Sequence, residues 1–174
     1  MKYIIGAYSQ LPFSSSNEEM EALLSKQLKP ILTKVYGNKD YSLLLRLSPA
    51  EFEYFETKHP EINMLISELC KRGQIELLTS SYNDVALPLI PNHEISTQVE
   101  KTTTYIRKRF TKRPKGLWCY NQYFSPSVLS IMNLCSLDYI IISGTNNCDS
   151  SVYDCPFNMT ELGRSTIIIP FDDR

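Results

Sequence analysis

Short apolar segments of extended type alternate with amphipathic helical segments along almost the whole chain. That beat calls for an α/β fold with a parallel sheet and right-handed helical crossovers. Residues 2–8 read as the first strand, closed by a turn-rich stretch over residues 10–16. Asn17 then precedes Glu18 and Glu19 as a helix N-cap, and Met20, Leu23, Leu24, Leu28, Ile31, Leu32 and Val35 recur at helical spacing up to Gly37, with a kink expected at Pro30. Residues 41–47 are extended again, and Ser48-Pro49 opens a short helix, followed by a second from Pro60 to Arg72 that ends at Gly73. Strand three covers residues 74–79. A loop through Pro88 and Pro91 leads to a helix over residues 94–110. Residues 115–120 form strand four, Ser125-Pro126 starts a helix to Leu134, and residues 138–143 and 166–170 form strands five and six. Six strands fit either an open doubly wound sheet or a barrel. The chain reads as one domain over residues 1–174. It stops just after a strand with no helix to cover it, so truncation at the C-terminus is expected.

Several function classes drop out on composition and motif grounds. With 43% hydrophobic and 21% charged residues and a net charge of −1, the chain has the make-up of a soluble globular protein and no pull on a polyanion. Its apolar runs fall far short of the roughly 20 residues that span a bilayer. The opening Met1-Lys2-Tyr3-Ile4-Ile5-Gly6 is too short in apolar residues for a secretion signal, so a cytoplasmic location is expected and no membrane partner. Cys70, Cys119, Cys135, Cys148 and Cys155 include no Cys-x-x-Cys pair and read as reduced thiols, three of them in apolar settings. Only His59 and His93 are present, both in helix-start loops and both expected to be exposed, so neither a metal centre nor a serine or cysteine triad is expected. No Gly-x-Gly-x-x-Gly or P-loop appears, which leaves no cofactor to assign. Residues 107–115 hold six basic side chains in nine, read as a solvated helix end that complements the helix dipole, with no nucleic-acid partner.

In parallel α/β architectures reactive groups gather at strand C-termini. Amides such as Gln10, Asn83 and Asn121 outnumber carboxylates there, and Tyr8, Tyr82, Trp118, Tyr120 and Tyr123 lie among them. Aromatic faces cover the apolar faces of sugar rings and amides pair with hydroxyls, so a neutral, hydroxyl-rich ligand suits this rim.

Specific segments carry a family resemblance. Arg72-Gly73-Gln74-Ile75-Glu76 resembles the Arg-Gly-Gln-Val-Glu segment of glycoside hydrolase family 57, and Pro114-Lys115-Gly116-Leu117-Trp118 with Ser125-Pro126 resembles its Pro-x-Gly-x-Trp region. His59-Pro60-Glu61 and Leu137-Asp138-Tyr139-Ile140 fit the same template. The resemblance implies a partial or incomplete (β/α)7 TIM-like barrel and the α-glucan chemistry of α-amylases, 4-α-glucanotransferases and branching enzymes. Such retaining enzymes need two carboxyl groups about 5 Å apart. The resemblance places Asn121 at the nucleophile position, where its amide replaces the glutamate. Ser9-Gln10-Leu11-Pro12 stands where the family has His-Gln-Pro, and Tyr82-Asn83-Asp84-Val85 stands where it has a Tyr-x-Glu-Pro type sequence. The acid/base aspartate belongs to a later strand, and Asp172 and Asp173 come too early for it. The chain is therefore expected to be a catalytically impaired family member. Ser9, Gln10, Asp84, Tyr82, Trp118 and Tyr120 are the residues expected to bind an α-glucan or other oligosaccharide. The alternative is a non-catalytic carbohydrate-binding or protein-interaction module on the same fold, its protein partner open. Polysaccharide deacetylases of the same superfamily need an aspartate and two histidines on a metal, which the two histidines here do not supply.

Overall fold

The computed structural model of the chain describes residues 5–9, 11–12, 14–119, 127–143, 157–161 and 164–171. Reciprocal capping sets where the early helices begin. Ser16 accepts from the Glu19 N–H while the Glu19 carboxylate accepts from the Ser16 N–H, opening α1 (Asn17–Leu23). Ser48 and Glu51 repeat the device at α3 (Pro49–Lys58). Between them, α1 runs without a kink at Pro30 through a π turn (Leu24–Leu28) into α2 (Lys29–Gly37). In that turn the Lys29 N–H reaches the Leu24 carbonyl five residues back. The widening eases the carbonyls that the Pro30 ring would otherwise strike, which is why the proline is absorbed. Next, α4 (Pro60–Lys71) ends where Gly73 takes a left-handed φ of 75°. A 3-10 turn (Leu87–Leu89) leads into α5 (Asn92–Phe110), and α6 (Ser127–Leu134) follows later in the chain.

The first five strands are β1 (Ile5–Tyr8), β2 (Leu43–Arg46), β3 (Ile75–Leu77), β4 (Gly116–Trp118) and β5 (Tyr139–Ser143). β1, β2 and β3 pair in parallel in that order, as do β4 and β5. The two sets meet at a parallel bridge between Thr79 and Leu117, where the Thr79 N–H donates to the Gly116 carbonyl at 3.0 Å and the Trp118 N–H to the Thr79 carbonyl at 2.9 Å. The expected sixth strand is longer than read, Arg164–Phe171, and becomes β7, because an additional strand β6 (Phe157–Glu161) precedes it. β7 pairs in parallel with β5, and β6 pairs antiparallel with β7, so the strict parallel beat breaks at this hairpin.

This row of strands is curled. Three strand spacings in a flat sheet would separate β1 from β4 by about 14 Å, yet the rings of Tyr8 and Trp118 lie 4.7 Å apart. Side chains alternate across the row. Leu43, Leu45, Ile75 and Leu77 pack outward on Phe52, Phe55, Ile66 and Leu69 of the helices. Leu117, Ile140, Ile142 and Ile168 likewise pack on Val128 and Met132. On the concave side Leu78, Trp118 and Ile141 cluster with Tyr8, Leu44 and Ile169. Gly116 is required there, because a Cβ would sit 2.3 Å from the Tyr139 ring, whose hydroxyl donates to Glu76 at 2.9 Å. Gly116→Ala is expected to destabilise by about 1–3 kcal/mol as an overpacked core. A lower urea midpoint at unchanged slope would register it; an unchanged midpoint would mean that the Tyr139 ring swings aside freely.

Among the described residues no helix is long and apolar enough to cross a membrane. Cys70, Cys119 and Cys135 are buried free thiols, and Cys148 and Cys155 lie outside the described residues. Burial pushes the thiols of Cys70 and Cys119 up to about 12 and that of Cys135 up to about 11, which leaves them unreactive. The basic run ending α5 has structural partners: Arg109 pairs with Glu56, and Arg113 donates to the Cys135 carbonyl at 2.9 Å.

Candidate functional site

Polar side chains from the first three strand ends converge in a sealed cluster. Ser9, just past β1, donates its N–H to the Arg46 carbonyl at 3.2 Å, and its Oγ accepts from the Leu11 N–H at 3.2 Å. Arg46 closes β2 and is 1% exposed. Its guanidinium donates to the Ser9 carbonyl through Nη1 and to the Asp84 carboxylate through Nη2. Asp84, in the loop after β3, is buried and takes a left-handed φ of 53°, a conformation that aspartate tolerates better than most residues. Ser48 and Glu51, at the start of α3, are buried alongside. Burial pushes the Glu51 carboxyl above its ordinary range, opposed by the Arg46 charge and by hydrogen bonds from Ser9 and Ser48. Asp84 Oδ2 and Glu51 Oε1 are buried without a hydrogen-bond partner.

The expected ligand-binding residues are not gathered in one place. Ser9 and Asp84 meet through Arg46. Trp118, expected at the rim, is fully buried on the concave side against Tyr8, because strand alternation turns it inward together with Leu78 and Ile141. It presents no surface to a ligand. Tyr82 lines a groove along α5 instead of joining Asp84. Gln10, Tyr120 and Asn121 lie outside the described residues. His59, expected to be exposed, is half-buried, its Nε2 at 2.7 Å from Glu21 and its Nδ1 at 3.4 Å from Glu61; His93 is exposed, as read. No group of three or more His, Cys, Asp or Glu that could hold a metal occurs among the described residues.

Sequence reasoning missed Arg46 and Glu51. For Glu51 a signal existed, since Ser48-Pro49-Ala50-Glu51 has the Ser-x-x-Glu form of a capping box. For Arg46 none was strong: the strand is apolar on both faces, which hides the alternation that turns the guanidinium inward.

The profile of glycosyl hydrolase family 57 matches residues 7–158. Alpha-amylase 1 of Dictyoglomus thermophilum is 22% identical over 140 residues, covering 80% of this chain and 20% of that protein. An alpha-amylase of Pyrococcus horikoshii is 19% identical over 178 residues, covering all of this chain and 28% of that protein. Among solved structures, the 4-alpha-glucanotransferase of Thermococcus litoralis superposes with a TM-score of 0.86 at 19% identity, over 98% of this chain and 27% of that one. The chain thus spans between a fifth and under a third of the length of these relatives.

Proposed function

The chain belongs to glycosyl hydrolase family 57, and from that membership we propose that it binds an α-glucan without cleaving it. The observation that carries this reading is the ion pair between Asp84 and Arg46. Asp84 is the carboxylate that the family resemblance sets after the third strand. With one oxygen on a guanidinium and the whole group buried, it is not placed to exchange a proton with a glycosidic oxygen. Asn121, at the nucleophile position, carries an amide that cannot form the glycosyl ester of a retaining mechanism. We take the curled row of strands as part of an incomplete (β/α)7 barrel, a reading supported by the contact of Tyr8 with Trp118 across its concave side. In that architecture Ser9, Gln10, Tyr120 and Asn121 border the ligand, and Asp84 backs them.

The test is an NMR titration of the chain with maltoheptaose that follows amide shifts and sugar signals in one sample. Shifts at Gln10 and Asn121 without new reducing ends are expected; clear turnover by the unmutated chain would overturn the reading. Asn121→Glu is expected to recover at most about 10⁻² to 10⁻⁴ of the rate of a two-carboxylate glycosidase, the factor lost with a missing acid/base group. A reducing-end assay giving a higher rate would show that a second carboxyl is in place.

A further inference from the structure

Tyr82 forms part of a groove of about 580 Å³ along the outer side of α5, within the roughly 300–1,000 Å³ of small-molecule sites. The helix contributes Glu100, Lys101, Thr104, Tyr105 and Lys108. Lys101, Thr104 and Lys108 follow one another at spacings of three and four, which sets them on a single stripe. The walls are held firmly. The Asn83 N–H donates to Gln98 Oε1 at 3.1 Å, Asp84 is tied to Arg46, and the Tyr105 ring stacks 6.2 Å from that of Phe52. Among the described residues, Glu100, Lys101 and Lys108 form no ion pair and neither phenol hydroxyl has a hydrogen-bond partner, whereas the neighbouring Arg109 is engaged by Glu56. Burial pushes the Tyr105 hydroxyl up to about 12, so it stays a neutral donor at neutral pH.

We propose that this groove is a second carbohydrate site, which takes an α-glucan oligosaccharide along α5 with a pyranose face on the Tyr82 ring. The sugar class rests on the reading under Proposed function; the groove itself does not. A sugar hydroxyl both donates and accepts, and the groove offers a carboxylate acceptor, two ammonium donors and hydroxyls that serve either way, beside aromatic rings for the C–H faces. An inorganic anion would be repelled by Glu100. An apolar peptide would desolvate three charges and leave them unpaired.

The same maltoheptaose titration separates the two sites. Shifts at Thr97, Lys101, Thr104 and Tyr105 are expected, with affinity there lowered roughly tenfold in Tyr82→Ala and less in Tyr82→Phe, which keeps the ring. Lys101→Ala, on the solvent side of the helix, provides a second loss of affinity that does not depend on the loop. Shifts at the strand ends with none along α5 would overturn this proposal and leave the proposed function standing. Shifts along α5 alone would support it and overturn the strand-end site. No shift anywhere at millimolar sugar would overturn both.

Discussion

Arg46→Met is expected to destabilise the protein by about 3–5 kcal/mol, because it leaves the Asp84 carboxylate buried with no countercharge. The guanidinium also holds the Ser9 carbonyl, so the substitution loosens the end of β1 and the loop after β3 together. The double variant Arg46→Met/Asp84→Asn should recover a large part of the loss, since the uncompensated charge goes with the carboxylate and only unsatisfied neutral groups remain. Urea unfolding of both variants and of Asp84→Asn completes a double-mutant cycle. A single-variant loss below about 1 kcal/mol would mean that the pair is hydrated and worth no more than a surface ion pair. Because the loop after β3 also carries Tyr82, Arg46→Met should weaken sugar binding along α5 even in molecules that remain folded.

Trp118→Ala carries a comparable penalty by a different route, about 3–5 kcal/mol for removing a fully buried indole from a packed cluster. Tyr8, Leu78 and Ile141 would be left around a cavity that strands on both sides of the row cannot close without uncurling it. Trp118→Phe, which keeps an aromatic ring against Tyr8, should lose clearly less. Circular dichroism followed against urea serves for both, since the chain's one tryptophan is the residue removed. Were Trp118 a ligand platform, alanine would lower sugar affinity at little expense in stability; the buried position makes the opposite pattern the expected one.

What could be read from the residues and what could not divide along physical lines. Helix ends rest on local chemistry, so Asn17, Ser48, Pro60 and Gly73 mark them within a residue or so. The strand order through β5 follows from the beat of elements. β6 was not legible: Phe157–Glu161 is short, and its antiparallel place depends on a partner that comes after it in the chain. The ion pair joins residues 38 apart, a separation that no local pattern reports. Trp118 shows how the rim was misjudged, for a strand's last residue points into the packed interior or toward the ligand according to register, and a three-residue strand gives too little alternation to tell.

Met20, Leu24, Leu28 and Leu32 stand four residues apart each time, and all four are buried. In an ideal α-helix three such steps would carry the last side chain about 120° around the axis from the first. The π turn unwinds part of that drift and keeps the row on the core. Losing one residue between Leu24 and Leu28 would restore ordinary winding and swing everything after it by about 100°, taking Leu32 off the core face. Along this stretch individual residues can be exchanged more freely than their number can change.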